Sequence, residues 1–410
     1  MLMTRTLIAV FLSLGLLGFI GPVALAQNSL RPDELPQSDA KPIQPAKSRK
    51  AGKTSSGGPF ESSKEARLLL HEALQISQSG KTIPDLTGII ELCKQATAKP
   101  LTAEEAKYAR DLLAWSYNKR GEAYAEQAVE FMGQGSEKEA AKLDRQALDD
   151  FKAAVKNDPL RWKAIHNRGV SYGVLGLHED AVADFTRVLE LKDDYVNAWF
   201  NRAEIHAENG RLAEAIQDYS EAIRLKPEDG GIRRQRGRAY TRSNKHQEAL
   251  ADFDFAVQLD RNDVVSLVER ADCACRLADW GIAANDYRTA LEIDPDSATG
   301  YRGAAWLMAT CPQVKYRNSK SAIEAAQQAI ELANAQGQLD FTYFDTLAAA
   351  LANASQFPQA QQALQKAIAA APQQEAKLLK KRLALYASQR PFREAPVATA
   401  QAASLKVQKR

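Results

Sequence analysis

The chain has 410 residues, 45 % of them hydrophobic, 7 % aromatic and 26 % charged, which is enough apolar material for a large core and excludes a wholly disordered or collagen-like chain. With 54 Lys plus Arg against 51 Asp plus Glu, the formal charge of +3 is too small to announce a nucleic-acid binder. Four cysteines exclude a fold built on disulfides.

Residues 1–26 read as a secretory signal peptide. Arg5 gives the positive start, Leu7 to Ile20 the apolar stretch, Gly21-Pro22 a helix breaker, and Ala24-Leu25-Ala26 the small-residue cleavage motif, so the expected mature chain begins at Gln27. Residues 27–63, with Pro32, Pro36, Pro42, Pro45 and Pro59, are too poor in apolar side chains to offset the entropy of ordering and read as a disordered linker. Charge is uneven along the chain: residues 64–373 carry −7, whereas residues 374–410 carry +7. Residues 64–79 and 84–97 read as an opening helical pair within an N-terminal cap that extends to residue 113.

From residue 114 the chain repeats itself. Arg120-Gly121, Arg168-Gly169, Arg202-Ala203, Arg236-Gly237 and Arg270-Ala271 recur, the last four at intervals of 34 residues, and Pro159, Pro227 and Pro295 lie 68 apart, twice that period. Each period fits two packed helices. In residues 196–229, Trp199, Ala203 and His206 line one helix and Ala215, Tyr219 and Ala222 a second; Asn209-Gly210 gives the left-handed stop between them, and Pro227 ends the pair.

This pattern resembles the tetratricopeptide repeat family, whose 34-residue unit has small residues at positions 8, 20 and 27, aromatics near 4, 11 and 24, and Pro at 32. Seven units are assigned: 114–161, 162–195, 196–229, 230–263, 264–297, 298–340 and 341–374. The first is expected to hold about fourteen extra residues between its helices around Gly133-Gln134-Gly135, and the sixth about five around Cys311-Pro312. The module running from Ala305 to Pro312 and on to Asp345-Thr346-Leu347-Ala348 looks like a C-terminal variety found in bacterial members. Residues 375–389, studded with Lys377, Lys380, Lys381 and Arg382, read as a closing helix with a polar outer face, and 390–410 as a disordered basic tail. The implied fold is all-α, a right-handed α-α superhelix (solenoid) with helical caps.

Five units carry Arg at position 7 together with Asp at position 23: Arg120 with Asp150, Arg168 with Asp184, Arg202 with Asp218, Arg236 with Asp252 and Arg270 with Asp286. The last two units lose both, holding Ala304 and Leu347 in place of Arg. Joint presence and joint loss point to an ion pair across each helix pair.

Catalytic signatures are lacking: no HExxH, no GxSxG and no dinucleotide glycine fingerprint occurs. Gly52-Lys53-Thr54 and Gly80-Lys81-Thr82 lack the upstream glycine of a phosphate loop, having Lys47 and Gln75 there. His71, His166, His178, His206 and His246 are never at ligand spacing, with His206 at a core position and His178 and His246 in turns. Cys275 and Cys311 are either buried thiols or a disulfide between neighbouring units. No enzyme, metal or cofactor is expected.

The resemblance implies that first-helix positions 2, 5, 9, 12 and 13 line a concave groove that holds peptides. Arg234, Arg238 and Arg242 form an i, i+4, i+8 row there. Either the row grips an acidic or carboxylate-ended peptide, with Asn167 and Asn201 offering amides to its backbone, or Glu204, Glu208 and Asp272 neutralise it. The Lys and Asn pattern of chaperone-binding relatives is not reproduced. The expected role is therefore an exported, non-catalytic protein-interaction protein, periplasmic or secreted, with no nucleic-acid partner and no membrane span after signal cleavage. Its alternatives are a self-associating envelope scaffold or a non-catalytic subunit of an envelope enzyme complex.

Overall fold

A computed structural model describes residues 63–80 and 82–395. The signal peptide, nearly all of the linker, the triplet Gly52-Lys53-Thr54, Lys81 and residues 396–410 lie outside the described residues. Among those described there are 17 α-helices, one short 3-10 turn at Val314–Tyr316, and no strand. The described residues divide into two compact units, one ending at Leu225 and the other beginning at Lys226.

The N-terminal unit contains α1 (Lys64–Ser79), α2 (Ile83–Thr97), α3 (Ala103–Gly133), α4 (Glu137–Asn157), α5 (Trp162–Val174), α6 (His178–Leu191), α7 (Val196–Glu208) and α8 (Leu212–Leu225). Two of its helix starts are capping boxes, Thr82 with Asp85 and Thr102 with Glu105. Thr82, the last residue of the second Gly-Lys-Thr triplet, is thus a helix cap. The expected fourteen-residue insertion between the helices of the first repeat is not a loop: it lengthens both helices, α3 to 31 residues and α4 to 21. The expected boundary at residue 113 consequently falls inside α3, whose first half packs with α1 and α2 around Leu70, Leu86, Ile89 and Leu112.

The C-terminal unit contains α9 (Gly230–Arg242), α10 (His246–Leu259), α11 (Val264–Leu277), α12 (Trp280–Ile293), α13 (Ala298–Thr310), α14 (Ser319–Ala335), α15 (Phe341–Asn353), α16 (Phe357–Ala370) and α17 (Gln373–Ala387). Within each unit a helix packs on its neighbours along the chain, and first helices also touch the next first helix. The extra residues around Cys311-Pro312 form the short 3-10 turn that carries the chain from α13 to α14.

Two local devices recur in both units. The hairpin turns of the four regular repeats each pass through one left-handed residue, and Gly176, Gly210, Asn244 and Ala278 fill that place at 34-residue intervals. The turn is closed by the amide that follows, as in Arg211 N–H to the His206 carbonyl at 2.8 Å and Lys245 N–H to the Tyr240 carbonyl at 2.9 Å. His178 and His246 open second helices and do not lie in the turns. The other device is a close approach of the two helices: a Cβ on Gly237 would stand 2.7 Å from the Phe253 ring, and one on Gly121 2.7 Å from Phe151.

Opposite substitutions test these devices. Gly237→Ala is expected to destabilise the chain by about 1–3 kcal/mol because the ring has to move, while Ala278→Gly relieves a left-handed alanine and stabilises by about 0.5–1 kcal/mol. Urea denaturation of both variants beside the wild type reads the two signs.

Candidate functional site

The five arginine–aspartate pairs form across the hairpins, each as a two-pronged fork. Arg202 Nε and Nη2 lie 2.8 Å from the two carboxylate oxygens of Asp218, and Arg120, Arg168, Arg236 and Arg270 hold Asp150, Asp184, Asp252 and Asp286 at 2.7–2.8 Å. The aspartates are buried and the arginines mostly so. Hydrogen bonding to the aspartate holds the Arg168 guanidinium above its ordinary range. Sequence reasoning did not reveal the third prong. Arg120, Arg202 and Arg270 also donate at 2.9 Å to Thr87, Thr186 and Asp254 on the second helix of the preceding pair. The same guanidinium thereby closes its own hairpin and ties it to its neighbour.

In the N-terminal unit the two asparagines offered as peptide contacts are already engaged. Asn167 donates to Asn118 Oδ1 at 3.1 Å and Glu122 Oε1 at 3.0 Å. Asn201 is 1 % exposed and its amide meets His166 Nε2 at 3.1 Å. Asn201 therefore presents nothing to a peptide lying on the surface. Burial holds the His166 imidazole down at a pKa of about 4.

The C-terminal unit contains a groove of about 920 Å³, lined by α9, α11, α13 and α15 and bounded by α17 and the chain after it. Its walls are rich in charge, most of it matched. Arg238 pairs with Glu269 at 2.6 Å, and Arg234, one turn earlier along α9 and outside the groove lining, pairs with Asp263. Within this unit Asp263 and Glu269, which the sequence does not single out, meet the row, while Asp272 accepts from Tyr287 and meets Arg302 at 3.5 Å. Glu204 accepts from Tyr219, and Glu208 stands 3.8 Å from His178. Arg242 is exposed and has no ion pair among the described residues. Arg276, Lys381 and Leu378 are exposed beside it, with Trp306 and Phe341 half-buried between them.

Two readings of the C-terminal end are corrected. Arg382 is not on the outer face of the closing helix: it pairs with the largely buried Asp345, and its guanidinium lies 5.0 Å from the Trp306 ring centre and 4.8 Å from that of Phe392. Nor is the tail free from residue 390. After the left-handed Gln389 the chain turns back, and Glu394 donates its amide to the Thr310 carbonyl at 3.0 Å. The Glu394 carboxylate accepts from Trp306 Nε1 at 2.6 Å and faces Arg276 at 3.2 Å.

The cysteines offer no chemistry. All four are free and buried, so Cys275 and Cys311 are thiols packed in one apolar cluster with Trp280 and Tyr287, not a disulfide. Burial pushes the Cys93 and Cys273 thiols up to about 12. Among the described residues no group of three or more His, Cys, Asp or Glu is placed to hold a metal ion, and no helix is long and apolar enough to cross a membrane.

The tetratricopeptide-repeat family model matches residues 166–230, within the hairpins that share the arginine fork. Residues 166–230 are tetratricopeptide repeats. A curated relative, DnaJ homolog subfamily C member 3 of Rattus norvegicus, is 38 % identical over 66 residues, which are 16 % of this chain; the chain spans 13 % of that relative's length. Among solved structures, a tetratricopeptide repeat protein from Parabacteroides merdae is similar over 65 % of this chain and 98 % of its own, at 18 % identity and a TM-score of 0.46. PilF of Pseudomonas aeruginosa is similar over 57 % of this chain and 96 % of its own, at 16 % identity and a TM-score of 0.43. Repeats of this family serve as protein-interaction scaffolds, and that is the general role of this one.

Two measurements probe the tetratricopeptide-repeat frame. In a double-mutant cycle, Arg202→Ala and Asp218→Ala are expected to be coupled by about 1–3 kcal/mol, because either change alone strands a buried charge; additive losses contradict the fork. For His166, the unfolded chain binds a proton below pH 6.5 that the folded chain refuses until about pH 4. Its contribution is thus complete above pH 6.5 and falls as the pH drops through that window, by on the order of 3 kcal/mol. Stability measured against pH should flatten over this range in His166→Gln.

Proposed function

We propose that this protein is an exported, non-catalytic interaction protein whose C-terminal unit holds an extended segment of an acidic partner in the groove bounded by α9, α11, α13, α15 and α17. The observation that carries the reading is the groove's mouth. Arg242 and Lys381 stand exposed there beside the apolar Leu378 and Phe341, whereas Arg234, Arg238 and Arg276 are already paired with Asp263, Glu269 and Glu394 of the same unit. Exposed cations around half-buried rings suit a chain that offers carboxylates and apolar side chains together. Export is supported by Arg5, the apolar stretch from Leu7 to Ile20 and the Ala24-Leu25-Ala26 motif.

The test is affinity capture from the native envelope extract, using residues 27–410 beside a folded Arg242→Glu/Lys381→Glu variant. Arg234 and Arg238 are left alone, since changing them strands Asp263 and Glu269. The expected result is a partner retained by the wild type and lost from the variant, and a native chain whose mass places its N-terminus at Gln27. An unchanged partner set refutes the groove, and a native chain that retains residues 1–26 refutes cleavage.

A further inference from the structure

The segment after α17 lies against the groove without regular secondary structure, and three successive side chains each fill a separate place. Phe392 lies 5.9 Å from the Trp306 ring, with the Arg382 guanidinium over both. Arg393 reaches the other way, donating to the Ala309 carbonyl at 3.0 Å and to Asn353 Oδ1 at 2.9 Å. Glu394, 7 % exposed, puts its carboxylate between Trp306 Nε1 and Arg276. Backbone pairing is slight: among the described residues, 391–395 make one main-chain bond, from the Glu394 amide to the Thr310 carbonyl. Arg276 is 58 % exposed, so one of the two donors to the carboxylate faces water.

An isolated peptide held by so little binds weakly, but a short tether raises the local concentration of this one to roughly millimolar. Phe392 and Glu394 also form part of the groove wall, so the places they fill are continuous with the open space beside them. A longer segment seated in the same places can run on into that space.

Resting on the groove reading above, we propose that the C-terminal unit recognises an extended partner segment with an aromatic, a basic and an acidic side chain in succession, and that Phe392-Arg393-Glu394 is the resident occupant which that segment displaces. Trp306 and Arg382 take the aromatic, Asn353 and the carbonyl end of α13 take the base, and Trp306 Nε1 with Arg276 takes the acid. The partner's affinity is set by competition: a site occupied nine-tenths of the time by its own segment binds about tenfold more weakly than an empty one.

The experiment uses a fluorescent Pro-Phe-Arg-Glu-Ala peptide, capped at both ends, and the chain 27–410, with folding checked by circular dichroism. Phe392→Ala/Glu394→Ala empties the aromatic and acidic places without altering the receiving residues, and is expected to bind the peptide about tenfold more tightly than the wild type. Adding Arg276→Glu should remove that gain, and a peptide with Lys in place of Glu should restore part of it. Equal affinity for the wild type and the double variant, or indifference to Arg276→Glu, overturns the proposal. A wild type that is dimeric in light scattering and monomeric as the double variant also overturns it, assigning the places to a second copy. Failure of the peptide on every protein, while Arg242→Glu/Lys381→Glu still loses its captured partner, overturns this inference and leaves the groove reading intact.

Discussion

Two helices can lie as close as these do only where one of them carries almost no side chain. Gly121, Gly169 and Gly237 face Phe151, Phe185 and Phe253, and in each case a Cβ would stand 3.0 Å or less from the ring. Where the ring is Tyr219 or Tyr287, position 8 of the same unit is Ala203 or Ala271, and the tyrosine hydroxyl is held by the carboxylate one residue further on, Glu204 or Asp272. Ring and small residue thus vary together, and the second helix of each pair is set against the first by that contact.

The arginine fork depends on this spacing. A guanidinium satisfies both carboxylate oxygens only when the two helices stand at one separation, so the pair adds geometric selectivity to packing that is otherwise tolerant. By reaching back to Thr87, Thr186 and Asp254, the same group converts contact within a hairpin into contact between hairpins. The final two units have no such arginine. Their end is closed by Asp345 with Arg382 and by Glu394, the last two coming from beyond the seventh unit.

What the sequence disclosed and what it concealed follow from the range of the interactions involved. The hairpins, their left-handed turns and the five forks recur at a fixed period, so comparison within one chain reveals them. The extension of α3 and α4 did not show, because additional helical turns and a loop both interrupt a 34-residue register. The partners of the arginine row were missed because Asp263 and Glu269 are selected by side-chain reach across adjacent first helices, a matter of rotamer and not of position. The basic composition after residue 389 reads as a solvated tail, yet a single buried carboxylate, Glu394, is enough to hold its first residues down.

Repeat arrays normally fold from contacts between near neighbours, so that each hairpin of some 34 residues can close as soon as it exists. The return of Arg393 to Ala309 bridges 84 residues of chain. Closing so long a loop cannot begin until α14 to α17 have all been made, which sets the completion of this end apart from that of the hairpins before it. During synthesis, the groove walls made by α9, α11, α13 and α15 therefore exist for a time with Trp306 and Arg276 uncovered, and Phe392-Arg393-Glu394 reaches them only after α17 has been made.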